Sequence, residues 1–148
     1  MKFLTTLALA ALCLAPGAFA QQPGQKLTGS WLIAITIDGT PAPFTVDMAT
    51  FDGQGGITVI SSDKGESNGV GAYQRTGDRE FQSTHTHILF NDKGTFNGIA
   101  KVIATLKLND TGDALTGRYR VEVADATGKV QVRIPGTIAG KLVVPEPL

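Results

Sequence analysis

The feature that most constrains this chain is a rhythm of strands and tight turns. Apolar or alternating stretches of roughly 7 to 14 residues recur, each closed by a short Gly/Asp/Asn turn. These turns are Asp52-Gly53-Gln54-Gly55-Gly56, Asn91-Asp92-Lys93-Gly94, Asn109-Asp110-Thr111-Gly112-Asp113 and Asp125-Ala126-Thr127-Gly128. Connections this short join only neighbouring antiparallel strands, so the chain reads as a β-meander. A long meander either leaves two edges open or closes on itself, and a closed one encloses an interior.

Eight strands can be placed. The first, Ser30 to Ile37, carries Trp31, Ile33, Ile35 and Ile37 on one face. In the second, Phe44 to Phe51, Phe44, Val46 and Met48 share a side; Phe51 breaks that parity and points to a bulge near Ala49. Short strands follow at Ile57 to Ser61 and Val70 to Arg75, separated by the polar stretch Ser62 to Asn68. The fifth and sixth, Glu80 to Phe90 and Phe96 to Leu108, are long, and the sixth turns Phe96, Gly98, Ala100, Val102, Ala104, Leu106 and Leu108 inward. The seventh turns Leu115, Gly117, Tyr119, Val121 and Val123 inward. The eighth starts at Lys129, is interrupted at Pro135-Gly136 and resumes from Thr137. No stretch beyond residue 20 makes an amphipathic helix. The expected fold is all-β, an eight-stranded antiparallel up-and-down barrel, with a two-sheet β-sandwich as the alternative that period-two patterning leaves open.

Residues 1–20 read as a signal peptide: Lys2, an apolar run from Phe3 to Ala15, then Ala18-Phe19-Ala20 as a cleavage site. Residues 21–28 form a polar lead, and 29–148 form one barrel domain. The expected product is exported, periplasmic or secreted, and is not inserted in a membrane after cleavage. Its one cysteine, Cys13, leaves with the leader, so the domain must stand on core packing without disulfides. The 13 Lys and Arg, of which Lys2 lies in the leader, balance 13 Asp and Glu, which argues against nucleic acid as a partner.

Gly29-Ser30-Trp31 opens the first strand of the meander. A Gly-x-Trp in that position resembles the calycins, the superfamily of lipocalins, fatty-acid-binding proteins and avidins. The resemblance implies a barrel that holds a small molecule, with Trp31 on the floor and one of Arg118, Arg120 or Arg133 packed across it. The chain departs from those families in lacking a Thr-Asp-Tyr motif, a cysteine pair and the additional tryptophans of a biotin site.

His85 and His87 are the only histidines and share one face of the fifth strand with Phe81, Ser83 and Leu89. Facing inward, they would orient a ligand or act as acid and base near neutral pH, with Tyr73, Ser83 and Tyr119 as companions. Facing outward, they would only decorate a strand whose other face carries Gln82, Thr84 and Thr86. As metal ligands they lack a third partner at any recognisable spacing, and neither a metal nor another cofactor is expected. The expected ligand is a small apolar molecule lined by Trp31, Phe44, Met48, Val102, Tyr119 and Val121, with His85 and His87 as its polar contact. The alternatives are a cyclase or isomerase of the same shape and an envelope protein whose core is simply filled.

Overall fold

The structure, a computed structural model, describes residues 26–147. The leader assigned to residues 1–20 lies outside the described residues. Eight strands follow in chain order: β1 (Gly29–Ile37), β2 (Thr45–Phe51), β3 (Gly56–Ile60), β4 (Gly69–Gly77), β5 (Glu80–Phe90), β6 (Phe96–Leu108), β7 (Ala114–Asp125) and β8 (Val130–Leu142). Each pairs antiparallel with the next, and β8 returns to β1 along Trp31↔Leu142 to Ile37↔Gly136. The barrel is therefore closed and up-and-down, and the sandwich alternative is excluded. Closure leaves neither terminal strand with a free row of backbone donors and acceptors.

One end of the barrel is plugged. Leu27, Trp31, Phe51, Leu108 and Leu115 are almost wholly buried there. The indole Nε1 of Trp31 donates to the Leu27 carbonyl at 3.0 Å, which ties Leu27 to the base. Tyr73 meets Phe51 edge to face, with ring centroids 5.1 Å apart. Trp31 is thus a floor residue, but none of the three candidate arginines crosses it. Arg118 pairs with Asp38, and Arg120 and Arg133 both pair with Glu122. All three are exposed, because they sit at positions of β7 and β8 whose side chains alternate away from the core.

The second strand corrects the sequence reading. Asp47, Ala49 and Phe51 point inward, whereas Val46 and Met48 are exposed. The ladder to β1 runs unbroken from Gly29↔Phe51 to Ile35↔Thr45, with no bulge at Ala49. Parity is set at the floor, where Phe51 is buried and Trp31 is registered opposite Ala49; everything at odd positions then faces in. Met48 instead lies in an outer apolar row, between Leu32 and Ile60. Phe96, expected inside, is also exposed, because a register shift at Leu89/Phe90 releases the top of β6 from strict alternation. Nor does Pro135 interrupt β8, which pairs with β7 through it. The Pro135 carbonyl accepts from Asp38 N at 3.1 Å, just beyond the last β1 pair, so its missing N–H also faces the end of that ladder.

Candidate functional site

Above the floor the interior is not filled. It holds a cavity of about 310 Å³ that opens toward the end carrying the connector between β3 and β4. Its two sides differ in chemistry. Strands β1, β6, β7 and β8 supply Ile33, Ile35, Val102, Val121, Val123 and Ile138. Facing them, β2, β5 and the connector supply Asp47, Ser83, His85, His87, Asp63 and Glu66. The cavity is therefore amphipathic, with an apolar wall and a polar strip.

The imidazoles are inside, which resolves the two orientations that the sequence left open. His87 and Ser83 are buried, and the two histidine rings stand 5.1 Å apart at 69°. They fit because β4 places glycines beside them. A Cβ on Gly69 would lie 2.6 Å from His87 Nε2, and a Cβ on Gly71, registered opposite His85, would collide with the Thr84 carbonyl. Glycine at 69 lets the rings lie against the neighbouring strand, and glycine at 71 lets the two strand backbones approach.

The two rings differ in environment. His87 Nδ1 donates to the Ser67 carbonyl at 2.8 Å, since a carbonyl can only accept, and Glu66 Oε1 lies 3.8 Å from the same nitrogen. His85 Nδ1 is buried without a hydrogen-bond partner among the described residues. Burial, and secondarily the neighbouring His87, depress the His85 imidazole from 6.5 to about 4, so it is neutral at pH 7. Burial raises the Asp47 carboxyl above its ordinary 3.8, partly offset by the bond it accepts from Ser62 N at 3.2 Å. The Ser83 hydroxyl and the Tyr119 hydroxyl have no hydrogen-bond partner among the described residues, although both side chains are buried. Burial also raises the Tyr119 phenol above its ordinary 10. Buried polar groups are ordinarily paired, and among the described residues His85 Nδ1 is the fully buried side-chain atom left without a partner.

The connector at 61–68, which its composition suggests is solvated, is laced onto β5. Ser67 N donates to Ile88 O and Phe90 N to Gly65 O, each at 2.8 Å, while Ile88 N donates to Ser67 Oγ at 2.9 Å. Ser61 Oγ donates to Glu66 Oε1 and holds that carboxylate over the cavity. Asp47, Asp63 and Glu66 escaped the sequence reading. Asp47 was discoverable from the burial that Phe51 demands two positions from Ala49, whereas nothing in the polar run around Asp63 and Glu66 signals an inward fold.

Of the expected lining residues, Phe44, Ser83, His85, His87, Val102, Tyr119 and Val121 border the cavity. Trp31 and Tyr73 belong to the packed floor beneath it, where Tyr73 donates to the Asp52 carbonyl. Met48 is outside the barrel. Among the described residues no group of three His, Cys, Asp or Glu side chains is placed to hold a metal ion.

Comparison of the chain with known protein families, curated proteins and solved structures finds no match. The closed antiparallel eight-stranded barrel is compatible with the calycin architecture that Gly29-Ser30-Trp31 suggests, and the reading of function rests on the cavity itself.

Proposed function

We propose that this protein binds a small, largely apolar molecule with one polar end inside its barrel. The observation that carries this reading is the 310 Å³ cavity with an apolar wall on one side and, on the other, Ser83 and His85, whose buried Nδ1 has no partner among the described residues. A dry apolar cavity of about 150 Å³ holds one benzene ring with room to spare, so this one suits a molecule of roughly two to three rings or an equivalent branched chain. A space of this size favours a ligand over a filled core that serves only as scaffold. The leader read in residues 1–20 supports action outside the cytoplasm, with a small molecule rather than nucleic acid as partner.

A cyclase or isomerase is the second reading. It draws on His87, which borders the cavity and whose Nδ1 donates to Ser67 O, with Glu66 Oε1 3.8 Å from that same nitrogen. The test of the first reading is titration with the neutral fluorophore N-phenyl-1-naphthylamine, together with native mass spectrometry of protein taken from its own host. Saturable fluorescence enhancement or a co-purifying organic mass supports binding. Neither, in a folded protein, overturns it.

A further inference from the structure

The polar strip has a charge as well as a position. Among the described residues three carboxylates border the cavity, those of Asp47, Asp63 and Glu66, and no Lys or Arg does. Lys64 belongs to the same connector but is exposed and does not border the cavity. His85, neutral at pH 7, adds no compensating charge, and the group that faces the carboxylates is His87, whose Nδ1 lies 3.8 Å from Glu66 Oε1. The carboxylates are not fully consumed by the fold. Asp47 accepts from Ser62 N, Glu66 from Ser61 Oγ, and Asp63 from Gly65 N. Ser83, 3 % exposed and unpartnered, faces the same space from β5 and can accept as well as donate.

An anion entering this cavity would lose its water beside like charges and find no guanidinium or ammonium to replace it. A cation would lose its water and gain charge-assisted hydrogen bonds, while its hydrocarbon covered the apolar wall. Resting on the binding reading above, we infer that the ligand is an organic amine, protonated at neutral pH and carrying an aromatic or branched apolar body, rather than a fatty or aromatic acid. The ammonium sits between Asp47 and Glu66 at the connector end of the cavity, and the body lies against Ile33, Val102 and Val121.

Three compounds of one carbon skeleton test this by calorimetry at pH 7: 2-phenylethylamine, 2-phenylethanol and phenylacetate. The amine is expected to bind about 10-fold or more tighter than the alcohol, with the acid weakest, as expected for a partly buried charge pair. In Glu66→Gln and Asp47→Asn, the preference for amine over alcohol is expected to collapse to within about 3-fold. Glu66→Gln alters a connector rather than the barrel wall and so keeps the test available should Asp47→Asn unfold. Phenylacetate binding as tightly as the amine overturns the inference and leaves the binding reading standing. Binding of neutral N-phenyl-1-naphthylamine without binding of the amine does the same. If neither the three compounds nor the fluorophore binds, both readings fall.

Discussion

His85 makes the folded protein sensitive to acid in a way that can be worked out from its surroundings. In the unfolded chain an imidazole takes its proton near 6.5, whereas burial holds the folded one to about 4. At pH 7 the ring is neutral in both states and contributes almost nothing. As pH falls through 6.5 the unfolded chain binds a proton that the folded chain refuses, so stability is lost, and the loss is complete below about 4. At about 1.4 kcal/mol per pH unit the full loss is roughly 3 kcal/mol, of which about 2 kcal/mol has gone by pH 5. Against a domain stability of about 5–15 kcal/mol this is a large share. The assay is urea unfolding at pH 7 and pH 5 for the wild type and for His85→Leu, which keeps an apolar side chain in place of the ring. Wild type should lose about 2 kcal/mol more than the variant over that interval. Asp47 acts in the opposite sense, because a raised carboxyl gains a proton on folding as pH falls; present in both proteins, it cancels in the difference. Equal acid losses in the two proteins would refute the burial of His85.

Three further outcomes follow from the packing. Trp31→Phe, which removes the donor to Leu27 and part of a fully buried ring, should cost about 2–4 kcal/mol by chemical denaturation while leaving fluorophore affinity within about 3-fold, since Trp31 lies beneath the cavity. On β2, Phe51→Ala should cost about 3–5 kcal/mol and Met48→Ser less than about 1 kcal/mol, a contrast that reverses if the strand has the opposite parity. Val102→Phe should fill the lumen, lowering fluorophore affinity about 10-fold or more with stability unchanged or slightly raised; unchanged affinity would move the site elsewhere.

The architecture was legible because its signal repeats. Strands β5, β6 and β7 alternate over long stretches between Asx-Gly turns, and His85, Val102 and Tyr119 fall on the inner face that their neighbours dictate. Strand β2 misled for a physical reason: a barrel with a polar interior strip and an apolar outer row inverts the usual pattern. Asp47 goes in and Met48 stays out because register with Trp31 at the floor outweighs the hydropathy of single residues. Pro135 misled because its effect depends on where the neighbouring ladder ends, which the local sequence does not encode. The connector carrying Asp63 and Glu66 misled most, since its inward fold depends on bonds to β5 made by residues about twenty positions away.

The central claim is that a small molecule occupies the barrel interior, and intermolecular NOEs test it directly. With methyl-labelled protein and N-phenyl-1-naphthylamine, cross-peaks should connect the ligand to Ile33, Val102 and Val121, which border the cavity, and not to Leu32, Met48 or Ile60 on the outer row. Cross-peaks confined to Leu32, Met48 and Ile60 would place binding on the outer wall and contradict the account.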